Sequence, residues 1–210
     1  MKKILLLVAS GVEPMEMAAF TDVLGWANLV GSEEIQLIDA GFHRNIKTTF
    51  GLNLTLNYLI ENLNLDEFDA LAVPGGFEPA GFYEDALSEP FLDVIRYFHH
   101  HKKLIASVCV SSLALSAAGV LEGKRATVYH QKNGIRKQQL EDDGAIFVDE
   151  ALVCDDNKIT STGPGTAIEV AFSLLEGITS KSNAEAVRHK MRITPVNKAW
   201  LKAPQVPAID

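Results

Sequence analysis

Cys109 stands in Ala106-Ser107-Val108-Cys109-Val110-Ser111-Ser112, where a short apolar run passes directly into a stretch of small residues that reads as a helix. A cysteine at such a corner is presented at the rim of a sheet, as at a nucleophile elbow, with the opening amides of the next helix aimed at its sulfur. The partial positive charge there favours the thiolate, the form that attacks carbon and that oxidises. An inert, packed cysteine fits the same segment equally well, because free cysteine is among the most buried residue types. Glu16 opens a helix in Gly11-Val12-Glu13-Pro14-Met15-Glu16. A carboxyl half buried beside the elbow would hold its proton and share it with the sulfur, whereas an exposed one only complements the helix dipole. Asp22 follows six residues on, too far round the helix to adjoin Glu16 but able to support a third group. Gly75 and Gly76 end Val73-Pro74-Gly75-Gly76. They are either a plain tight turn or, with the Val110 amide, a candidate oxyanion hole. His130, 21 residues after Cys109, is the candidate proton carrier.

Strands and helices must alternate to bring these groups together, and the hydrophobic pattern says that they do. Residues 4–9, 34–40, 70–73, 104–108 and 146–148 read as strands, and residues 48–56 as a hairpin or a bent strand. Helical spacing or start signals predict helices over 13–29, 88–99, 110–118, 135–141, 166–175 and 180–191. Residues 126–129 look extended, and 151–154 with 158–161 form a hairpin through Asp155-Asp156-Asn157. The pattern defines an α/β fold, a doubly wound, mostly parallel sheet with helices on both faces, in which ligands sit outside the carboxyl ends of the strands. One domain over 1–194 and a loosely held tail over 195–210, with Pro204 and Pro207, are expected.

Composition narrows the setting. The 210 residues include 19 basic and 27 acidic side chains, a net charge of −8, which leaves no basic face for nucleic acid. Two cysteines, Cys109 and Cys154, are too few for a disulfide framework and suit a reducing, cytoplasmic home. The start, Met1-Lys2-Lys3 and six apolar residues, imitates a signal peptide, but Glu13 and Glu16 follow at once and a buried first strand reads better. No apolar run is long enough for a membrane helix, so no membrane partner is expected. His99, His100 and His101 are consecutive and cannot all face one ion, so no metal is expected there. Gly163-Pro164-Gly165-Thr166 lacks the lysine of a phosphate loop and suits a tight strand-to-helix connection.

Five segments in order, GVEPMEM, AVPGG, SVCVSS, the histidine of ATVYH and TSTGPGTAIEVAFSLLE, resemble the PfpI/ThiJ superfamily. Within it the chain looks most like the branch of the parkinsonism-associated deglycase and its small bacterial relatives. The resemblance implies a flavodoxin-like, class I glutamine amidotransferase-like fold. It also implies a homodimer and a cofactor-free cysteine enzyme that turns small reactive carbonyls, such as 2-oxoaldehydes, into 2-hydroxy acids. Cys109 matches the family's reactive cysteine, Glu16 the glutamate bonded to that sulfur, and Gly75 and Gly76 the glycines whose amides face the site. Asp22 matches a further acid, and His130 the histidine of the glyoxalase-type members, displaced by one residue. Three departures separate neighbouring branches. Val110 stands where the protease and heat-shock branches carry histidine. The aspartate and threonine of the isonitrile hydratases are absent, and His189 is followed by Lys190 and Met191 instead of the His-x-Glu pair of the amidotransferases. A redox-sensing stress protein or holdase using the same cysteine, and an isonitrile-hydratase-like hydratase, are the alternative readings.

Overall fold

The computed structural model describes residues 1–202; Pro204 and Pro207 of the expected tail lie outside the described residues. The strands are β1 (Lys2–Leu7), β2 (Ile35–Gly41), β3 (Asn45–Lys47), β4 (Asn53–Thr55), β5 (Tyr58–Leu59), β6 (Ala70–Val73), β7 (Leu104–Ser107), β8 (Arg125–Ala126), β9 (Ile146–Phe147), β10 (Leu152–Asp155) and β11 (Lys158–Ser161). Seven of them form one sheet in the order β10-β11-β7-β6-β1-β2-β5. Every neighbouring pair in it is parallel except β10 and β11, the expected hairpin. Ile4, Leu5, Leu6 and Leu7 of β1 are all fully buried, as a strand covered on both faces requires.

The chain leaves β1 for β2 on one side and later returns to β6 and β7 on the other. The carboxyl ends of β1 and β6 therefore flank a topological switch point, where the outgoing loops diverge and open a crevice. Register keeps these ends level: Leu6 lies beside Ala72, and Val73 beside Ser107. The segments leaving β1, β6 and β7 carry Glu16 (in the first turn of the helix that follows β1), Gly75 with Gly76, and Cys109 respectively.

The helices are α1 (Pro14–Val30), α2 (Phe82–Ala86), α3 (Glu89–His100), α4 (Ser111–Ala117), α5 (Arg136–Asp142), α6 (Ala167–Ile178), α7 (Lys181–Lys190) and α8 (Lys198–Leu201). Pro14 begins α1, where its missing N–H costs nothing, and Ala19, Phe20, Val23, Leu24 and Ala27 form its buried stripe. That stripe packs against α6 and α7, while α3 and α4 meet each other and both pack on β7. Gly163 to Thr166 is the expected tight connection: Thr166 Oγ1 donates to the Gly163 carbonyl at 2.7 Å before α6 starts.

The structure departs from the sequence pattern in several places. Residues 48–56 are a turn plus one strand, because β3 begins earlier, at Asn45, and pairs antiparallel with β4. Of 126–129 only Ala126 belongs to a ladder, with β8 parallel to β9. Beyond it the Thr127 amide donates to Thr160 Oγ1 at 3.0 Å instead. The five-residue α2, which buries Phe82, is too short to show a helical period. In the expected tail, α8 is tied to the body where the Ala151 amide donates to the Leu201 carbonyl at 3.0 Å. Among the described residues no helix is long and apolar enough to cross a membrane.

Candidate functional site

Cys109 adopts φ +62°, the left-handed region that side-chain-bearing residues avoid. Such a conformation persists only where its surroundings over-determine it. Here the Cys109 amide donates to the Ser161 carbonyl at 3.0 Å, and the Cys109 carbonyl accepts from the Tyr129 amide at 3.4 Å. Ser111 locks the corner from below. Its Oγ accepts from the Val108 amide at 3.0 Å and reaches the carbonyls of Val73 (2.8 Å) and Val108 (2.6 Å). This buried hydroxyl ties β6 to the elbow, a role hidden in a sequence where it is one of several small residues.

Glu16 is fully buried in the first turn of α1. Its Oε2 accepts from the Gly75 amide at 2.6 Å. The second oxygen, Oε1, is buried without a well-formed hydrogen bond, and Cys109 is the polar side chain against the carboxyl. Burial lifts the carboxyl from its ordinary value near 4.5 to about 8, which the Gly75 amide and the Cys109 thiol offset only in part. Glu16 therefore carries its proton at neutral pH.

Burial likewise pushes the Cys109 thiol well above its ordinary range, and negative charge on Glu16 pushes it further. The Val110 amide, directed at the sulfur, and the Arg136 guanidinium act in the opposite direction. The helix amides favour the thiolate, as expected, but at a residue only 7% exposed desolvation outweighs them. While Glu16 keeps its proton its charge no longer opposes ionisation of the thiol, because the pair then holds one negative charge and not two.

Above the sulfur opens a cavity of about 380 Å³ lined by Glu13, Glu16, Thr49, Phe50, Gly76, Phe77, Cys109, Val110, Tyr129, Gln131, Arg136 and Pro164. Both glycines are fixed by space. A Cβ on Gly75 would lie 2.7 Å from the Val108 carbonyl oxygen and 2.8 Å from Glu16 Oε2. On Gly76 it would lie 2.3 Å from both the Gly11 carbonyl oxygen and the Phe82 ring. Their amides differ, which corrects the expected donor set. Gly75 is occupied by Glu16. Gly76 lines the cavity from a bridge to Val12 whose hydrogen bonds run through Glu13 to Gly75 and Phe77 to Gly11, leaving its own N–H for a ligand.

Two expected residues are not brought to the sulfur. Asp22 is exposed on α1 and lies outside the cavity lining, since six helical residues advance about 9 Å along the axis. His130 is also outside it. Its Nδ1 meets the Val128 carbonyl at 2.9 Å, its Nε2 meets Asp149 Oδ1 at 3.3 Å, and its ring stands edge-on to Phe147. Neighbouring residues in extended chain face opposite ways. The one-residue displacement therefore turns Tyr129 and Gln131 into the cavity and His130 out of it. Arg136 was missed by sequence reasoning, which had no signal to raise it above other exposed-looking bases. His99 and His100 are tilted neighbours at the end of α3, and His101 stacks on Tyr97. No cluster of three or more histidine, cysteine or acidic residues fit to hold a metal occurs among the described residues.

A strained cysteine, a buried protonated glutamate and a glycine-lined approach at a switch point define a class, and comparison with known proteins agrees with it. The sequence profile of the DJ-1/PfpI family matches residues 2–177, and the chain belongs to that family. The dj-1beta protein of Drosophila melanogaster is 30% identical over 190 residues, 89% of this chain and 94% of the fly protein. Its crystal structure superposes with a TM-score of 0.81 at 29% identity, covering 92% of this chain and 99% of that one. A deglycase of Pyrococcus abyssi is 34% identical over 131 residues, 62% of this chain and 75% of the archaeal protein. The isonitrile hydratase of Pseudomonas putida is 34% identical over 127 residues, 60% of this chain and 53% of the bacterial protein. The chain spans 60% and 47% of the length of two further curated relatives, from Methanocaldococcus jannaschii and Arabidopsis thaliana.

Proposed function

We propose that the protein is a cysteine-dependent, cofactor-free enzyme acting on small reactive carbonyls, converting a 2-oxoaldehyde such as methylglyoxal into a 2-hydroxy acid. The observation that carries this reading is the Glu16 carboxyl buried against the Cys109 thiol at the floor of an open cavity. In the proposed reaction Cys109 sulfur adds to the aldehyde carbon, and the thiol proton passes through Glu16 to the oxygen, giving a hemithioacetal. The Gly76 and Val110 amides face the oxygen as negative charge develops on it. Glu16, once ionised, removes the C1 proton, and the resulting enediol is reprotonated at C2, so that C1 is oxidised and C2 reduced within one molecule. Water then hydrolyses the Cys109 thioester, releasing the hydroxy acid and the thiol. Glu16 serves both proton steps in this scheme, a task its elevated pKa suits. The relative named deglycase supports chemistry at carbonyls. The hydratase relative is the alternative for a different small electrophile.

A redox-sensing stress role is the second reading. The buried Oε1 without a well-formed hydrogen bond favours it, because a protonated carboxyl there can donate to an oxygen added to the sulfur. A homodimer in a reducing, cytoplasmic setting belongs to the same proposal and suits two unpaired cysteines. The test is lactate formation from methylglyoxal by the parent protein and Cys109→Ser. Turnover by the parent alone supports the enzyme, and equal turnover or none in both removes it. Mass addition of oxygen at Cys109 after peroxide, without methylglyoxal turnover, selects the sensor.

A further inference from the structure

Among the described residues the cavity over Cys109 has three ionisable carboxylate or guanidinium side chains in its lining, Glu13, Glu16 and Arg136, and Arg136 is the single cation. Arg136 begins α5, half buried, and its guanidinium contacts two tyrosines. Its Nε donates to the Tyr83 hydroxyl at 3.4 Å, and its Cζ lies 5.5 Å from the centre of the Tyr129 ring. Gln131 Nε2 donates to the Tyr129 hydroxyl at 2.8 Å, which leaves the phenolic proton free to point elsewhere. The two terminal nitrogens of Arg136 have no hydrogen bond or ion pair among the described residues. Other partly buried arginines are neutralised: Arg188 forms a two-pronged pair with Glu169 at 2.7 Å, and Arg96 is paired with Glu89 and Asp93. Glu13 shares the cavity, yet among the ion pairs of the described residues none joins it to Arg136. The guanidinium is also close enough for its charge to act on the Cys109 sulfur.

A fixed, partly desolvated guanidinium with an open fork is the arrangement that recognises a carboxylate through two parallel hydrogen bonds. We infer that Arg136 is an anchor for anionic ligands, and that the site binds small aldehydes bearing a carboxylate in preference to neutral ones. The inference rests on the carbonyl-addition step of the reading above and adds a charge preference at that step. The carboxylate sits on Arg136, with Tyr129 as a second donor, and this sets the aldehyde carbon over the sulfur. The thiol adds across C=O: the S–C bond forms, the π bond breaks, and the thiol proton ends on the oxygen, so no co-reactant is needed.

The experiment measures protection of Cys109 from iodoacetamide by glyoxylate, a carboxylate-bearing aldehyde, and by glycolaldehyde, a neutral one of similar size. Alkylation is followed by intact mass, and each aldehyde is normalised to its addition to free glutathione. The readout is the ratio of the two half-protection concentrations within one protein, which cancels any change in sulfur reactivity caused by losing a nearby charge. The expected preference for glyoxylate is at least about tenfold in the parent, near one in Arg136→Gln, and partly restored in Arg136→Lys. In the parent it should also fall when potassium chloride is raised to about 1 M, which tests the point without any variant. An equal preference in parent and Arg136→Gln, or a salt-independent one, overturns the anchor and leaves carbonyl addition standing. Absence of protection by either aldehyde overturns both. Anion-selective protection without lactate formation from methylglyoxal overturns only the proposed turnover and supports the anchor.

Discussion

Both ends of the central sheet bury a group that ionises freely in water, and they use it differently. At the carboxyl ends Glu16 is lifted by burial to about 8. At the amino ends Lys158, 1% exposed on β11, is lowered by burial, with Asn157 Oδ1 as its acceptor. A cavity of about 470 Å³ lies nearby there too, lined by His99, His100, Lys102, Asp156 and Asn157. Positive φ occurs at both ends, but at Lys102 and Asp156 it belongs to a helix end and a hairpin turn. At the carboxyl ends the strained residue is the thiol itself, and an amide, a carboxyl and a guanidinium converge on it. A displaced titration therefore does not mark a site by itself; convergence on a reactive atom does.

That contrast can be broken most directly at the sulfur. Cys109→Ser should lower lactate formation from methylglyoxal by about a thousandfold or more, and a loss under about tenfold would leave the two ends equivalent. Next comes the acid. Glu16→Gln should cost about a hundredfold in the same assay. The parent's rate should climb through pH 8 as Glu16 releases its proton, and the variant's should not. Stability moves the other way. The folded protein holds this proton up to about pH 8 whereas the unfolded chain releases it near 4.5, so stability is lost as pH rises through that window. Thermal melts at pH 5 and pH 9 should show Glu16→Gln gaining on the parent at the higher pH, by roughly 5 °C or more. His130→Ala should keep activity within about threefold while lowering Tm by a few degrees through lost packing on Phe147, since His130 lies outside the cavity. The smallest effect belongs to the amino ends: Lys158→Met should leave turnover within about twofold, with a Tm no lower than the parent's.

The doubly wound sheet was legible because buried strands and amphipathic helices write distinct periods into the chain, and Pro74-Gly75-Gly76 and Cys109 fall where strands stop. Glu16 was legible only with Cys109, since nothing local distinguishes it from Glu13. What stayed hidden depends on facing. Tyr129 and His130 are adjacent, and which one meets the cavity is decided by the path beyond β8, where the ladder ends and the Thr127 amide turns to Thr160. Arg136 reaches the cavity from a helix 27 residues beyond the cysteine in sequence, and Asp22 fails to reach it from the same helix as Glu16. Desolvation was hidden too, because it is a sum over everything packed around the sulfur and not a property of the helix that follows it.

The twist at the elbow carries a cost of its own. A left-handed conformation costs a side-chain-bearing residue on the order of 1–2 kcal/mol, and Cys109 bears this at φ +62° in every folded molecule. Glycine would escape it, so Cys109→Gly should melt above Cys109→Ala while both are inert. At this position reactivity and robustness compete for a single backbone angle, and selection for thermal endurance alone would erase the thiol.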